Sequence, residues 1–349
     1  MSRSERDRRS VKTVFDTMVA ALMAERPTGE LRLAALERPE ALQEDDVLVS
    51  VEACGVCGTD LHIMAGEAYE PELPFVLGHE VVGRVAGPVD SAAQGGLVAV
   101  WPFLGCGNCQ LCALGEGQLC AAQVSVTGVS GAFGGFAEYV LVKREQLVPV
   151  PEGMEAPAAA AVVDAGTTAL NAVEVVPAGT TGPHVVVGAG PVGFCAAELL
   201  RERGRAPVVV EREAKRRHLA EGRGFAVAPE LDAVIEEPTV VIDCSGRGDA
   251  LGWAVRALVP HGLAVVVAYG VIDRFDTTQI SRKELTVRGV RSGTRDQLRT
   301  VLRLAAEGTV GGFPVREWAL ADVNGAFEAA RAGDPAKQVV VNRAERAMP

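Results

Sequence analysis

The sequence predicts an α/β protein of two domains, one of which contains a doubly wound parallel sheet. Three observations support this: the length of 349 residues, a glycine-rich turn between a strand and a helix, and further strands alternating with helices. A chain of this length commonly divides into domains of about 100–200 residues. Hydrophobic residues make up 48% and charged residues 23% of the chain, which is typical of folded globular proteins and not of disordered ones.

The charge and the apolar runs exclude several kinds of partner. The formal net charge is -11, and an acidic chain repels the phosphate backbone of nucleic acids. No apolar run approaches the roughly 18 residues of a membrane helix. The charged N-terminus is not followed by the apolar segment of a secretory signal. We therefore expect a cytoplasmic protein with neither nucleic acid nor a membrane as a partner.

A nucleotide-binding turn follows the short β-branched strand predicted at residues 184–187. The pattern is G-x-G-x-x-G, a helix follows at 194–203, and the residues of the turn are Gly188, Gly190, Pro191, Val192 and Gly193. The first glycine permits the tight turn, the second lets backbone N–H groups approach a pyrophosphate, and the third allows close helix–strand packing. The helix N-terminus stabilises the phosphate charge. This context predicts a Rossmann domain.

The next predicted strand, residues 207–210, ends at Glu211. A carboxylate about 20 residues past the first glycine can accept hydrogen bonds from the adenosine ribose and would repel a 2′-phosphate, so NAD is favoured. Arg212 follows directly and could hold that phosphate, which leaves NADP open. The doubly wound pattern continues with strands at 239–243, 263–268 and 285–287 and a helix at 251–258.

Four of the eight cysteines form a C-x2-C-x2-C-x7-C cluster, which consists of Cys106, Cys109, Cys112 and Cys120. Four thiolates on a glycine-rich loop can surround one ion tetrahedrally, as in a structural zinc site. The alternatives are two disulfides, four idle thiols or an iron–sulfur cluster. Two-residue spacings and the lack of an export signal favour zinc. A nucleic-acid-binding zinc ribbon is poorly supported because the loop has no lysine or arginine.

Cys57 and His79 indicate a second metal site. Cys57 lies in ACGVCGTDLH after an alternating apolar strand, and His79 lies in GHEVVG. A cysteine and a histidine from separate turns are two of the three protein ligands that an open catalytic zinc needs. Each is weak alone, since a single histidine before a strand is more often a structural residue. The remaining cysteines, Cys54, Cys195 and Cys244, are expected to be packing residues.

Four segments together resemble the zinc-dependent medium-chain dehydrogenase/reductase family, which contains the alcohol and polyol dehydrogenases. They are CGVCGTDLH at 54–62, GHEVVG at 78–83, GCGNCQLCALGEGQLC at 105–120 and VVVGAGPVG at 185–193. The resemblance implies a GroES-like, β-rich catalytic domain over 1–165 and 293–349, with residues 1–18 as an extension. It also implies an inserted Rossmann domain over 166–292. The loop at 86–96 looks shorter than in the family pattern.

The resemblance implies roles for single residues at the metal. Cys57 and His79 look like catalytic zinc ligands, Glu80 like the family's acid beside the metal, and Asp60 like the carboxylate that orients His79. The third ligand position falls on Asp164, where alcohol dehydrogenases of the family usually have Cys and many polyol dehydrogenases have Glu. Alternatively, Asp164 only caps a helix that starts near residue 166.

The resemblance also implies the reaction, which is interconversion of a small-molecule alcohol and an aldehyde or ketone by hydride transfer to or from NAD(P), with two Zn²⁺ per chain. Thr59 and His62 resemble the relay that moves the alcohol proton to solvent. Trp101 and Met64 fall at positions near the substrate, although a core position is an even alternative. Residues 284–290 resemble the edge strand that pairs nucleotide domains in a homodimer or homotetramer.

Three other functions stay open at this point. A zinc-free quinone or enoyl reductase would lack the Cys57/His79 pair and the cysteine loop, both of which this sequence contains, so this function is disfavoured. A cyclitol, amino-sugar or polyol dehydrogenase of a biosynthetic pathway is mildly favoured by the hard oxygen donor at Asp164, which suits substrates that add a second oxygen to the metal. A non-enzymatic binding protein that keeps the fold is disfavoured because Thr59 and His62 are intact beside the metal pair.

Overall fold

The structure, a computed structural model, describes residues 17–86, 95–271 and 277–342. The strands are β1 (Thr17–Met23), β2 (Arg32–Glu37), β3 (Asp46–Gly55), β4 (Phe75–Val76), β5 (Glu80–Val85), β6 (Leu97–Val100), β7 (Phe103–Leu104), β8 (Ser125–Thr127), β9 (Gly131–Ala132), β10 (Tyr139–Lys143), β11 (Leu147–Pro149), β12 (His184–Val187), β13 (Val208–Val210), β14 (Ala226–Ala228), β15 (Val240–Asp243), β16 (Leu263–Val266), β17 (Thr286–Gly289), β18 (Val315–Ala319) and β19 (Lys337–Val341). The helices are α1 (Gly58–Ala65), α2 (Gln110–Ala113), α3 (Ala156–Val163), α4 (Ala165–Glu174), α5 (Pro191–Glu202), α6 (Ala214–Gly222), α7 (Ala250–Ala257), α8 (Thr278–Lys283), α9 (Arg295–Ala306) and α10 (Val323–Arg331).

The second half of the chain forms the predicted Rossmann sheet. Its six parallel strands follow the order β14-β13-β12-β15-β16-β17. The central strands are runs of valine and isoleucine because both faces of a parallel sheet are buried. From β12 the strand order proceeds in opposite directions to β13 and β15, and a doubly wound sheet binds its ligand at the carboxyl ends of the strands around such a point.

The rest of the described chain is rich in antiparallel strands, which agrees with the expected GroES-like fold. A seven-stranded sheet has the order β11-β6-β5-β3-β19-β18, with β10 also paired to β3, and a smaller sheet has the order β2-β1-β4. The late strand β19 pairs with β3, with Val339 opposite Gly55 and Val341 opposite Ala53. The chain therefore returns after the Rossmann sheet to complete the sheet it began.

The alanine-rich helix α3 packs on β3 and β5 of the larger sheet. Ala159 and Ala160 are fully buried, and such small side chains let the helix lie close to the strands. The core cluster that contains them continues to Phe194 of α5, beneath the Rossmann sheet. A shared core of this kind holds both parts of the chain around one cleft.

Several predicted boundaries shift by a few residues. Strand β1 begins at Thr17, so the last two residues of the expected extension at 1–18 lie in a sheet, and residues 1–16 lie outside the described residues. Of the loop expected to be short, 86–96, residues 87–94 also lie outside them. Helix α5 starts at Pro191, three residues before the predicted helix, because proline is favoured in the first helical turn. Within the described ranges, no helix is long and apolar enough to cross a membrane.

Candidate active site

A cavity of about 320 Å³ lies between the β-rich part and the Rossmann sheet. The β-rich side contributes Cys57, Thr59, His62, His79 and Asp164, and the Rossmann side contributes Gly190, Pro191, Val192 and Tyr269. The predicted metal ligands, the proton relay and the glycine-rich turn therefore meet in one cavity.

The ligand atoms of Cys57, His79, Glu80 and Asp164 all lie within 4.8 Å of one another. Cys57 Sγ is 3.6 Å from Asp164 Oδ2, and His79 Nε2 is 4.0 Å from the same oxygen. In a tetrahedral zinc site with bonds of about 2.3 Å to sulfur and 2.0 Å to nitrogen or oxygen, ligand atoms lie roughly 3.3–3.5 Å apart. The three side chains thus have the spacing and chemistry to hold zinc after a small contraction.

Asp60 lies directly beside His79, where it was expected. Its Oδ1 lies 3.4 Å from His79 Nδ1, and its Oδ2 accepts a hydrogen bond of 2.9 Å from the backbone N–H of Cys57. With Nδ1 on the side of Asp60, Nε2 faces Asp164 in the ligand cluster, and a carboxylate in this position can orient a metal-binding histidine. Burial alone would lower the pKa of His79, but the Asp60 carboxylate raises it well above the ordinary value.

Asp164 lies between α3 and α4 but its side chain does not cap α4. The residue is in the right-handed helical region, and no side-chain capping hydrogen bond is present. Instead Oδ1 accepts hydrogen bonds of 3.3 Å from the hydroxyls of Thr168 and Ser292, and Oδ2 faces Cys57 and His79. The geometry favours ligation over the capping alternative.

Glu80 is fully buried and paired with Lys337 of β19, a residue that no sequence motif indicated. Lys337 Nζ lies 2.7 Å from Oε1 and 2.6 Å from Oε2 of Glu80, and donates at 2.8 Å to the carbonyl of Val56. Gly55 leaves room for the carboxylate, because a Cβ there would lie 1.8 Å from Glu80 Oε2. Burial raises the pKa of Glu80, and Lys337 acts in the opposite direction.

Thr59 and His62 both line the cavity. Thr59 Oγ1 lies 3.7 Å from Cys57 Sγ, at the inner end of the site. The His62 side chain is 43% exposed, and its Nδ1 lies 2.7 Å from Glu67 Oε2. Thr59 thus lies beside the ligand cluster and His62 lies at the partly exposed side of the same cavity.

Two predicted substrate-pocket residues do not line the cavity. The Trp101 indole is buried, donates at 2.9 Å to the carbonyl of Gly293, and packs against Phe103. Met64 is fully buried in the core beneath α1. Both residues therefore match the alternative in which they belong to the core. The cavity wall includes instead Phe103 and the polar side chains of Tyr69, Tyr269 and Arg291, which no sequence motif indicated.

The three cysteines outside the predicted metal sites differ in environment. Cys54 and Cys195 are fully buried, in agreement with a packing role. Cys244 is only partly buried and lines the cavity beside Ser245, so the expectation that it only packs is incomplete. It follows β15 directly, and the carboxyl ends of parallel strands face the ligand-binding edge of the sheet.

The glycine-rich turn has the close contacts that its sequence predicts. Gly188 has a φ of +94°, and a Cβ on Gly193 would lie 1.9 Å from the Gly188 carbonyl oxygen. A Cβ on Gly190 would meet nothing within 4 Å, so this position is open to a ligand. Glu211 Oε2 accepts a hydrogen bond of 2.8 Å from the Ala189 N–H, which places the acid beside the turn. The neighbouring Arg212 is exposed.

The cysteine loop has the dimensions of a tetrahedral site. The four sulfur atoms of Cys106, Cys109, Cys112 and Cys120 lie within 4.8 Å of one another, and all four are free thiols. Cys109 Sγ and Cys120 Sγ are 3.8 Å apart, which is the edge of a tetrahedron with Zn–S bonds of about 2.3 Å. Hydrogen bonds from the backbone of Asn108 and from the Cys120 thiol lower the pKa of Cys106 to about 7, which favours its thiolate. At Cys112 a hydrogen bond from the Gly107 backbone acts in the same direction, but burial and the neighbouring thiols raise the pKa to about 11.

Comparisons with known proteins identify relatives along most of the chain. The family model for the alcohol dehydrogenase GroES-like domain matches residues 43–152, and the model for zinc-binding dehydrogenases matches residues 191–307. An alcohol dehydrogenase of Geobacillus stearothermophilus is 30% identical over 336 residues, which cover 90% of this chain and 96% of the relative. The L-galactonate-5-dehydrogenase of Escherichia coli K12 is 31% identical over 284 residues, which cover 76% and 82%.

Solved structures show the same similarity. Acetophenone reductase from Geotrichum candidum, in complex with NAD, matches with a TM-score of 0.85 and 26% identity. The match covers 94% of this chain and 98% of that one. The similarity therefore includes both parts of the fold and the cleft between them.

Proposed function

Because the chain belongs to the medium-chain dehydrogenase/reductase family, among its alcohol and polyol dehydrogenases, we propose how its own residues carry out the reaction of that family. The protein is a zinc-dependent oxidoreductase that interconverts an alcohol and an aldehyde or ketone with NAD(P). The observation that supports this most strongly is the single cavity shared by the Cys57, His79 and Asp164 cluster and the glycine-rich turn at the start of α5.

Cys57, His79 and Asp164 would hold the catalytic zinc, and the four cysteines of the loop would hold the structural one. Bound in the cavity, the catalytic zinc supplies a Lewis acid for the substrate oxygen, and the nicotinamide supplies the hydride donor or acceptor. Asp60 keeps His79 turned toward the metal. The Thr59 hydroxyl would accept the proton of the substrate alcohol while giving up its own in the direction of His62, and His62, at the exposed end of the cavity, would release a proton to solvent.

We assign the dinucleotide to the turn at Gly188–Gly193, with its pyrophosphate at the N-terminus of α5. Glu211 lies against this turn, where its carboxylate can accept hydrogen bonds from ribose hydroxyls and repels a 2′-phosphate. Arg212, by contrast, is exposed to solvent. NAD is therefore the favoured cofactor.

For the substrate we propose a multiply hydroxylated alcohol. Beyond the ligand cluster the cavity wall contains the hydroxyls of Tyr69 and Tyr269, which lie 3.1 Å apart, and the guanidinium of Arg291, which lies 3.5 Å from the Tyr69 hydroxyl. These groups can form hydrogen bonds that a simple alkyl chain cannot use. One relative is named for L-galactonate, which is itself a multiply hydroxylated compound.

Metal analysis of the wild type beside Asp164→Ala tests the ligand assignment. We expect two zinc ions per chain in the wild type and one in Asp164→Ala, while the exposed-residue control Asp232→Ala keeps two. Two zinc ions in both the wild type and Asp164→Ala would remove Asp164 from the ligand set. For the substrate, NADH absorbance is followed with a panel of alcohols, and a strong preference for simple unbranched alcohols over polyols and sugars would contradict the proposed class.

The domain boundaries and the assembly are also proposals. The pairing of β19 with β3 supports a catalytic domain over 1–165 and 293–349 around a Rossmann domain over 166–292. Strand β17 lies at the edge of the Rossmann sheet with every residue exposed. An open edge of this kind can pair with a second copy, so we propose a homodimer or homotetramer in the cytoplasm, whose mass light scattering would measure.

A further inference from the structure

The segment that leaves the Rossmann sheet after β17 brings a hydroxyl to the proposed zinc ligand. Ser292 lies between β17 and α9, and its Oγ donates a hydrogen bond of 3.3 Å to Asp164 Oδ1. The two residues are 128 positions apart in the sequence. Neither a motif nor a local pattern marks Ser292, so its position becomes visible only in the folded chain.

The backbone of Ser292 is in an unfavourable conformation that its neighbours maintain. Its φ is +44°, in the left-handed region that residues other than glycine rarely adopt. The Ser292 carbonyl accepts a hydrogen bond of 2.8 Å from Asn171, and the next carbonyl, of Gly293, accepts one of 2.9 Å from the Trp101 indole. These two anchors hold the turn so that the serine hydroxyl faces Asp164. A glycine would adopt the same backbone more easily but would have no hydroxyl.

The two oxygens of Asp164 have different surroundings. Oδ1 accepts from both Ser292 and Thr168, each at 3.3 Å. Oδ2 lies 3.6 Å from Cys57 Sγ and 4.0 Å from His79 Nε2. A carboxylate rotates readily about its last bond, and two donors on Oδ1 favour the orientation in which Oδ2 faces Cys57 and His79.

We propose that Ser292 is a positioning residue for the catalytic metal, because its hydroxyl holds Asp164 so that Oδ2 alone faces the ion. The proposal rests on the assignment of Asp164 as a ligand. It also explains why an aspartate can serve here: the hydroxyls restrain a side chain that would otherwise be free to rotate away. Since Ser292 comes from the end of the Rossmann sheet, the metal site depends on contacts between both parts of the chain.

The test compares Ser292→Ala with Ser292→Gly, both of which remove the hydroxyl. Zinc affinity of the catalytic site is measured by competition with a chelator, and the site is also loaded with Co²⁺ to record its visible spectrum. We expect zinc affinity to fall about 10–100-fold in both variants, as for other residues that hold a metal ligand, and the cobalt bands to shift in both. The zinc of the cysteine loop should stay bound. Ser292→Gly should melt at the wild-type temperature or above it, because glycine relieves the left-handed backbone.

Thr294→Ala is the matched control on the same segment. The Thr294 hydroxyl accepts a hydrogen bond of 3.2 Å from the Gln297 N–H and caps α9 without contacting Asp164. This variant should melt at a lower temperature, yet bind zinc with wild-type affinity and show the wild-type cobalt spectrum. The control therefore separates an effect on the fold from an effect on the ligand.

Two results would overturn the proposal. One is wild-type zinc affinity and an unchanged cobalt spectrum in both Ser292 variants. The other is weaker binding in Ser292→Ala but not in Ser292→Gly, which would make the backbone and not the hydroxyl responsible. Whether Asp164 is a ligand at all is tested separately, by the zinc content of Asp164→Ala.

Discussion

At the proposed metal centre, the carboxylate of Asp164 takes the position where the family resemblance implies a thiolate in alcohol dehydrogenases. An oxygen donor is harder than sulfur and suits a metal that also binds oxygen-rich substrates. The same site contains the fully buried carboxylate of Glu80, whose charge is balanced by Lys337. The electrostatics of the centre therefore depend on a lysine at the other end of the chain.

Replacing Lys337 with methionine should destabilise the protein strongly. The variant leaves Glu80 buried without a partner and removes the donor to the Val56 carbonyl. Removing one partner of a buried ion pair typically costs about 3–5 kcal/mol of unfolding free energy. Denaturant unfolding of Lys337→Met beside the wild type measures the loss.

Two further variants control this experiment. The double variant with Glu80→Gln and Lys337→Met has no uncompensated charge, so much of the lost stability should return. Arg303→Met removes an arginine whose pair with Glu307 is exposed on both sides, and such pairs contribute only about 0–1 kcal/mol. Equal losses in Arg303→Met and Lys337→Met would show that burial of the pair is unimportant.

At the scale of elements, the strand–turn–helix unit of β12 and α5 shows that two glycines of one motif have different surroundings. Gly193 packs directly against the Gly188 carbonyl, whereas Gly190 has free space around it. The fold requires glycine at position 193 because there is no room for a side chain, whereas cofactor binding requires glycine at position 190 to keep the space open.

Alanine substitutions should separate these two requirements. Gly193→Ala places a methyl group 1.9 Å from the Gly188 oxygen, so the turn must distort, and both the melting temperature and NADH affinity should fall. Gly190→Ala meets no protein atom within 4 Å, so it should melt like the wild type, but it should bind NADH more weakly because the methyl group keeps the pyrophosphate from the backbone. Thermal melts and NADH fluorescence titrations measure both. Normal NADH binding by Gly190→Ala would contradict the placement of the pyrophosphate.

For the whole molecule, one buried carboxylate joins the Rossmann helix α5 to the loop before β18. Glu198 is 1% exposed and accepts hydrogen bonds from the N–H groups of Gly311 and Gly312, at 2.8 and 3.3 Å. Arg223 lies 3.2 Å from its Oε1. Burial raises the pKa of Glu198 above its ordinary 4.5, despite these donors.

A raised pKa makes the stability contribution of Glu198 depend on pH with a definite sign. Between pH 4.5 and its folded pKa, the folded state binds more protons than the unfolded one, so unfolding free energy falls as pH rises through this window. Glu198→Gln removes this effect. Its melting temperature relative to the wild type should therefore increase as pH is raised from about 4.5 toward neutrality. A difference that stays constant with pH would show that Glu198 has an ordinary pKa in the fold.

Local patterns in the sequence were sufficient to indicate many residues of the candidate site. Gly188–Gly193 lies in one turn, the four loop cysteines are close in sequence, and Cys57, Asp60 and Thr59 share the first turn of α1. Asp164 could be indicated only by resemblance, since nothing local separates a ligand from a cap. Trp101 and Met64 were placed near the substrate by position alone, and the structure puts both in the core, because strand and helix geometry decides which face a side chain occupies.

Lys337, Ser292, Tyr269 and Arg291 carry no local signature, and each reaches the site from a distant segment. Lys337 arrives through the pairing of β19 with β3, and Ser292 through the turn after β17. Such contacts depend on strand register and on the packing of one part of the chain against another, neither of which is encoded in a short motif.

The sequence by itself determined the fold class, the glycine-rich nucleotide turn, the cysteine loop and the Cys57–His79 pair, because each depends on spacing within a few residues or on strand and helix periodicity. The tertiary structure alone decided which oxygen of Asp164 faces the ligand cluster, which cation balances Glu80 and which side chains line the cavity. The physical reason is distance along the chain. A buried charge or a rotating carboxylate is controlled by the groups that folding brings beside it, and two of these groups, Ser292 beside Asp164 and Lys337 beside Glu80, lie more than a hundred residues away.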